Sequence, residues 1–236
     1  MLVSCVVPAA GQGRRMGGDT GKLFMNLNGK PVLSYTLEAI EKCPLISEIV
    51  LVVKEDEIQH ASRLFAEERG FSKVKRIIPG GAERQMSVYL GLLVTDAACD
   101  IVMIHDGARP LITLDAITSV INEAAAWGAA VVATPVKDTI KLSDSQGFVK
   151  STLDRSRLWA VQTPQAFRRE LLLCAYEKAH NDGFLGTDDS VLVERLGWKV
   201  KLVPGSYENI KITTPEDIPL AEAILRRKVL EGRNGI

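Results

Sequence analysis

Two cations and a run of small residues near the N-terminus carry the first chemical signal. In Val6-Val7-Pro8-Ala9-Ala10-Gly11-Gln12-Gly13-Arg14-Arg15-Met16, continuing to Gly21-Lys22-Leu23, a turn of small residues follows an apolar run and delivers Arg15 and Lys22. Such a turn lets a polyphosphate approach the backbone, whose N–H groups can point at its oxygens. Ala9, Ala10, Gly11 and Gly13 form the cradle, and Arg15 and Lys22 are cations on a short tether beside it. The spacing is not a Walker A loop: Met16 stands where its first glycine belongs, and Leu23 after Lys22 offers no hydroxyl to magnesium. Nor is it a dinucleotide fingerprint, since Met16 replaces the third glycine after Gly11 and Gly13. Glycines alone also suit a plain tight turn. The arginine pair and the lysine after a first strand favour a nucleoside triphosphate.

A second constellation is His105-Asp106-Gly107-Ala108-Arg109-Pro110, after the apolar run Ile101 to Ile104. A carboxylate there suits Mg²⁺, which prefers one carboxylate plus phosphate oxygens and water; a turn-capping aspartate is the alternative. Arg109 can fork onto a phosphate or be a surface arginine, and His105 reads as a structural histidine. Pro79-Gly80-Gly81-Ala82-Glu83-Arg84 before a helix suits a base, a phosphate or a simple helix entry. Lys211, in a short segment before a capped helix, can reach the same site or be solvated. Asp188-Asp189 reads as a helix-start acidic pair.

These residues need a frame. Short apolar runs at Val3 to Val7, Ile49 to Val53, Val74 to Ile78, Ile101 to Ile104, Ala129 to Val136 and Trp198 to Val203 read as strands. Between them, helical spacing groups Leu33, Leu37 and Ile40; Ile58, Ala61 and Phe65; Met86, Tyr89, Leu90 and Leu93; Leu114, Ile117, Ile121 and Ala124; and Leu172, Ala175, Tyr176 and Ala179. Asn209 to Thr213 reads as short and extended. Thr214-Pro215-Glu216-Asp217 reads as the start of a last helix, with Thr as cap, Pro at the first helical position, and Ile218, Ala221, Leu225 and Val229 as its apolar face. The alternation predicts an α/β fold, with a mostly parallel sheet covered on both faces. It breaks at 137–160, a polar stretch around Ser145-Gln146-Gly147 that reads as a hairpin leaving the sheet. A lone hairpin is marginal and needs a partner, most simply the same arm of a second subunit; a floppy surface hairpin is the alternative.

Composition narrows the function classes. The chain has 236 residues, 46% hydrophobic and 25% charged, with zero formal net charge, so no global positive field points to nucleic acid or an anionic membrane. The four cysteines (Cys5, Cys43, Cys99, Cys174) are dispersed and read as buried free thiols of a cytoplasmic protein. The N-terminal apolar run is a strand rather than a signal peptide, and no apolar run reaches the roughly 18 residues of a membrane span.

Taken together the motifs resemble the 2-C-methyl-D-erythritol 4-phosphate cytidylyltransferases of the non-mevalonate isoprenoid pathway. The likeness rests on Pro8-Ala9-Ala10-Gly11-x-Gly13-x-Arg15-Met16, Lys22, Gly80-Gly81-x-x-Arg84-x-x-Ser87-Val88, His105-Asp106-x-Ala108-Arg109-Pro110, Pro135-Val136-x-Asp138-Thr139, Asp154-Arg155, Leu158-Trp159, Gln162-Thr163-Pro164-Gln165, Thr187-Asp188 and Asn209-Ile210-Lys211, in that order over nearly the whole chain. It implies one domain over 1–236: a three-layer, Rossmann-like nucleotidyltransferase sheet with a protruding β-arm at about 137–160 that dimerises. It implies transfer of CMP from CTP to 2-C-methyl-D-erythritol 4-phosphate with Mg²⁺, releasing pyrophosphate. Arg15 and Lys22 match the residues that stabilise the transition state, and Asp106 the metal-associated aspartate. Arg155 and Lys211 match residues that position the acceptor phosphate; Arg109 and Thr163 match further acceptor contacts. Ala9, Ala10, Gly11, Gly81 and Ser87 match the CTP-binding surface, to which Gly13, Ala82 and Gly107 belong by position. Thr139 and Arg155 lie in the arm, which in this family reaches the other subunit of a homodimer.

Two positions depart from the pattern. Ala82 stands where many members carry Asp, which leaves base contacts there to backbone groups, and Gly107 stands where Ala is common. The implied nucleophile, a phosphate monoester, already carries about −1.5 to −2 charge. It needs no general base, and none of His60, His105 and His180 sits in a base-like arrangement. The difficulty is repulsion between polyanions, so catalysis would be positioning plus electrostatic stabilisation. The rival readings are a ribitol 5-phosphate cytidylyltransferase, a glycosyltransferase (whose Asp-x-Asp motif Asp106-Gly107-Ala108 does not match) and a non-catalytic nucleotide sensor.

Overall fold

The computed structural model describes residues 1–11, 24–230 and 232. The elements run β1 (Val3–Pro8), β2 (Asn26–Leu27), β3 (Lys30–Pro31), α1 (Val32–Glu41), β4 (Ile46–Val53), α2 (Ile58–Ala61), β5 (Val74–Pro79), α3 (Arg84–Leu93), β6 (Ile101–Ile104) and α4 (Leu114–Trp127). There follow β7 (Ala129–Pro135), β8 (Lys141–Ser143), β9 (Val149–Thr152), β10 (Trp159–Arg168), α5 (Arg169–Asn181), α6 (Ser190–Glu194), β11 (Lys201–Pro204) and α7 (Asp217–Leu230). The main sheet has seven strands in the order β11-β7-β10-β6-β1-β4-β5. It is parallel except for β10, which runs antiparallel to both β6 and β7. That exception has a cause in the chain. No crossover helix separates β7 from β10, only the excursion through β8 and β9, and a strand that returns without a crossover must return antiparallel.

Period-2 alternation along the strands builds two cores. Val3, Cys5 and Val7 of β1 face one side with Ile49 and Leu51 of β4 and Met103 of β6, packed by α1, α4 and α7. Val6, Val50, Val102 and Ile104 face the other, packed by α3, α5 and α6. The result is three layers. Central strands buried on both faces read as continuous apolar runs, as expected of a parallel sheet. Gly128 ends α4 in the left-handed region at φ 90°, the ordinary use of glycine at a helix C-terminus.

Several boundaries differ from the sequence reading. The last strand starts at Lys201 rather than Trp198; the Trp198 indole instead lies over Gly128 and its Nε1 donates to Trp127 O at 3.1 Å. The helix through Ile58 is α-helical only to Ala61, then π-helical over Ser62–Glu68. The last helix starts at Asp217, not Pro215, because the Asp217 carboxylate turns back to accept from the N–H groups of Thr213 and Thr214. Of its expected apolar face Ala221 and Leu225 are buried while Val229 is exposed. Cys174 is exposed, unlike the buried thiols of Cys5, Cys43 and Cys99. The hairpin lies within 137–160: β8 and β9 pair with each other and with no strand of the main sheet, and their residues are exposed.

Candidate functional site

The adjacent strands β6, β1, β4 and β5 end at one edge, and the segments that follow them line a cleft of about 380 Å³. Pro8, Ala9, Ala10 and Gly11 come from the end of β1, Lys54 and Glu55 follow β4, Gly80 to Arg84 follow β5, and Asp106 and Ala108 follow β6. Carboxyl ends of strands are where open α/β sheets bind ligands. Backbone bonds tie these loops to the sheet: Ala9 N–H donates to Val52 O at 2.6 Å and Gly80 N–H to Val53 O at 2.8 Å. The first and third loops meet so closely that a Cβ on Gly80 would stand 2.4 Å from Ala10 Cβ. Ser87 closes the Gly80–Glu83 turn. Its Oγ accepts from Gly81 N at 3.1 Å and donates to Glu83 O at 3.1 Å.

A second cleft of about 450 Å³ opens on the other side of a shared wall. Arg84, Asp106 and Lys211 line both clefts, and Arg109, Gln162, Thr163 and Asp188 line the second alone. In the wall, Asp106 Oδ1 accepts from Arg84 Nε at 2.9 Å and Oδ2 lies 2.7 Å from Lys211 Nζ. Burial by itself would raise the Asp106 carboxyl; the charges of Arg84 and Lys211 outweigh it and hold the group well below the usual carboxylate range. Arg84 shows the converse balance, burial opposing its charge and Asp189 and Asp106 keeping it protonated. Arg84 Nη1 and Nη2 fork onto Asp189 at 3.1 and 2.9 Å.

Buried neighbours hold the wall from behind. Thr163 Oγ1 accepts from Asp106 N–H at 3.0 Å and lies 3.2 Å from His105 Nδ1. His105 Nε2 lies 3.1 Å from Arg109 O, so Nε2 carries the proton and Nδ1 accepts from the threonine hydroxyl. Both ring nitrogens are engaged and the imidazole is fully buried; burial lowers its pKa to about 4. This is a structural histidine, not a base. Lys211 is set between two buried anchors. Asn209 Nδ2 donates to Gln162 Oε1 and Thr163 O, both at 2.9 Å, and Ile212 N–H donates to Ala108 O at 2.8 Å. The segment 209–213 pairs with no strand; the Asn209 side-chain bonds and the single backbone bond from Ile212, not a ladder, hold it in place. Arg109 Nη1 donates to Asn209 O at 2.6 Å, leaving its buried Nε without a hydrogen bond, 4.0 Å from Asp106 Oδ2.

The residues expected from sequence therefore fall into groups. Ala9, Ala10, Gly11, Gly81, Ala82, Ser87, Asp106 and Lys211 line the first cleft, and Arg109 and Thr163 the second. Gly107 is buried behind the wall, its carbonyl accepting from Thr36 Oγ1 at 2.9 Å. Thr139 and Arg155 line neither cleft. They sit at the base of the hairpin, where Arg155 Nη1 donates to Lys137 O at 2.8 Å. Gly13, Arg15 and Lys22 lie outside the described residues. Asp188 is the helix-start acid expected, accepting from Val191 N–H at 3.1 Å. Asp189 is more than that: it is 1% exposed and binds Arg84. Reading Asp189 as a helix-start acid, and the Pro79–Arg84 turn as a base site, a phosphate site or a helix entry, missed the ion pair. The available signal was a second acid at a helix start that needs only one cap.

Among the described residues no group of three or more His, Cys, Asp or Glu gathers as a metal site. A single ionised carboxylate at the wall fits magnesium, which takes one or two protein carboxylates and completes its shell with phosphate oxygens and water. Among the described residues no helix is long and apolar enough to cross a membrane.

Comparison with known proteins places the chain in a family. The model of the family IspD, 2-C-methyl-D-erythritol 4-phosphate cytidylyltransferase, matches residues 3–227. The chain is 50% identical over 227 residues to the 2-C-methyl-D-erythritol 4-phosphate cytidylyltransferase of Caldanaerobacter subterraneus subsp. tengcongensis, covering 96% of this chain and 100% of the relative. It superposes on the crystal structure of 4-diphosphocytidyl-2C-methyl-D-erythritol synthase from Anaerococcus prevotii with TM-score 0.86 and 35% identity, covering 95% and 96% of the two chains. It also superposes on the Thermus thermophilus cytidylyltransferase with TM-score 0.78 and 32% identity, covering 96% and 100%.

Proposed function

The chain belongs to the 2-C-methyl-D-erythritol 4-phosphate cytidylyltransferase family, and from that premise we propose how its residues divide the work. The reaction moves CMP from CTP to 2-C-methyl-D-erythritol 4-phosphate, giving 4-diphosphocytidyl-2-C-methyl-D-erythritol and pyrophosphate in isoprenoid biosynthesis. The observation that carries the assignment of parts is the wall of Arg84, Asp106 and Lys211 shared by two clefts. CTP takes the cleft at the strand ends, its base against the Gly80–Glu83 turn and its phosphates on the Ala9–Gly11 loop. The acceptor takes the cleft of Arg109, Thr163 and Gln162. The two phosphates then meet at the wall.

The attacking oxygen belongs to a phosphate monoester already carrying about −1.5 to −2 charge, so no residue has to remove a proton. His105 is buried and neutral, in keeping with chemistry that uses no base. What the site must supply is positive charge in fixed places, since preorganised charge needs no reorganisation as the reaction proceeds. Lys211 and Arg109 serve the acceptor phosphate. Arg15 and Lys22 serve the triphosphate and the charge that develops on the α-phosphate. Asp106 would hold Mg²⁺, which supplies neutralisation of the phosphate oxygens when bound.

The hairpin of β8 and β9 is proposed as a dimerisation arm carrying Thr139 and Arg155 to the partner's site. Leu142, Phe148 and Val149 on it are 46%, 68% and 62% exposed, and a two-stranded hairpin is marginal alone. The chain is taken as one nucleotidyltransferase domain bearing that arm. A cytoplasmic location is part of the same proposal, supported by the dispersed cysteines.

A pyrophosphate-release assay on the purified chain tests the assignment. CTP with 2-C-methyl-D-erythritol 4-phosphate is expected to release pyrophosphate, ribitol 5-phosphate to be a poor substitute, and a chelator to stop turnover until Mg²⁺ is restored. No release with the methylerythritol acceptor overturns the substrate assignment. Full activity after chelation overturns the metal.

A further inference from the structure

Asp189 is a buried charge that the reaction as outlined does not use. It immediately precedes the short helix α6, whose start is already capped by Asp188. It is 1% exposed, and a carboxylate that deep is costly unless it is paired and hydrogen-bonded. Here it is both. The guanidinium of Arg84 forks onto its two oxygens at 3.1 and 2.9 Å, and the Tyr176 hydroxyl donates to Oδ1 at 2.5 Å. The third nitrogen of the same guanidinium, Nε, donates to Asp106 Oδ1 at 2.9 Å. A planar cation with all three nitrogens engaged has one orientation available.

We propose that Asp189 is a positioning residue for the transfer reaction: from beneath the site it fixes Arg84, and through Arg84 the carboxylate of Asp106, in the wall between the two clefts. This rests on the reading of Asp106 as a working part of the site. The division of donors is what matters. Asp189 takes two nitrogens of the guanidinium, so Asp106 receives one N–H from Arg84 and one ammonium from Lys211. Without Asp189 the fork is free to turn onto Asp106 itself, because bidentate pairing with a carboxylate is the preferred geometry of a guanidinium. The guanidinium would then compete with Lys211 for Asp106 Oδ2 and shift the carboxylate from the position it holds between the two cations. Asp189 lines neither cleft, and its direct contact with a residue of the wall is Arg84.

Asp189→Asn keeps the volume and an acceptor for Tyr176 but loses the charge and one arm of the fork. We expect its kcat to fall at least about 10-fold with substrate KM values moved much less, the signature of misplaced catalytic groups. The same change made in an Arg84→Gln background should cost less than about 2-fold further, because the link from Asp189 to Asp106 through Arg84 is already cut. A role of Asp189 that does not pass through Arg84 would make the two losses multiply. Arg84→Gln alone leaves the Asp189 carboxylate buried without its cation, so Asp189→Glu, which keeps that charge paired but shifts the fork, is the second variant should either single change fail to fold: its kcat is expected to fall as well, and a kcat within about 2-fold of wild type overturns the proposal. The proposal is overturned if Asp189→Asn keeps kcat within about 2-fold, or if it costs as much without Arg84 as with it. Asp106→Asn is measured in parallel. If that variant stays active, the reading of Asp106 falls and the positioning role with it; if it is inactive while Asp189→Asn is not, only the positioning role falls.

Discussion

Lys211 Nζ lies 2.7 Å from Asp106 Oδ2, which joins the segment before the last helix to the turn after a central strand. The contact is made without a ladder: Asn209 and Ile212 are buried on either side of Lys211 and leave the ammonium at the wall. Removing it takes one fixed cation from the meeting point of two polyanions. Lys211→Ala is expected to lower kcat by about 10²- to 10³-fold, the scale of one preorganised donor. Steady-state kinetics with both substrates varied checks this. A variant with near wild-type turnover would show that the cation is only a counter-ion for Asp106.

The approach of Gly80 to Ala10 predicts a steric result. A methyl group on Gly80 would lie 2.4 Å from Ala10 Cβ and 2.8 Å from Ser87 Oγ. Gly80→Ala should therefore wedge the two nucleotide loops apart, costing roughly 1–3 kcal/mol of stability and weakening CTP binding. Adding Ala10→Gly removes the closer of the two clashes and should recover part of both. Denaturant titration and calorimetric CTP binding measure them. A second change that gives no recovery would place the cause elsewhere.

Stability should fall in acid through His105. Its pKa is lowered from 6.5 to about 4 by burial, so between those values the unfolded chain binds a proton that the folded chain refuses. Stability then rises with pH across that window. The contribution is complete above about pH 6.5 and lost progressively as the pH falls towards 4, amounting to roughly 3 kcal/mol. Asp106 acts in the same direction but lower, since its folded pKa is depressed below the usual carboxylate range. Urea unfolding of wild type and His105→Gln across this window separates the two, the variant showing the flatter profile. Equal slopes would mean that the imidazole is not the group titrating.

The arm can be tested by mixing. Lys22→Ala alone is expected to lose at least ~10²-fold in turnover, and Arg155→Ala to be similarly impaired. If Arg155 serves the partner's site, heterodimers of the two variants contain one site with both residues intact. Refolding them together should restore activity that neither has alone. No restoration, or a fully active monomer by sedimentation, removes the cross-subunit role.

Much of this protein was legible without coordinates. The continuous apolar runs of β1, β4 and β6 required a sheet buried on both faces, and their alternation with helical spacing made it mostly parallel. Short-range chemistry was also readable: the small residues Ala9 to Gly11 after β1, the Gly80-Gly81 turn and Asp106 after β6 all lie where a strand ends, and strand ends share an edge. Boundaries set by competing local bonds were not. The Asp217 carboxylate outcompetes Pro215 in starting α7, and the Trp198 indole lies over Gly128 instead of entering β11.

What the sequence by itself determined was the set of charged groups and the elements bearing them, because periodicity and turn chemistry are local. What only the tertiary structure decided was which charges meet. Arg84, Asp106, Asp189 and Lys211 come from four separate segments, and no local signal orients a guanidinium toward one carboxylate rather than another. Their pairing is settled by burial: within the folded chain each of these charges must find its partner among the few groups that packing has placed within reach.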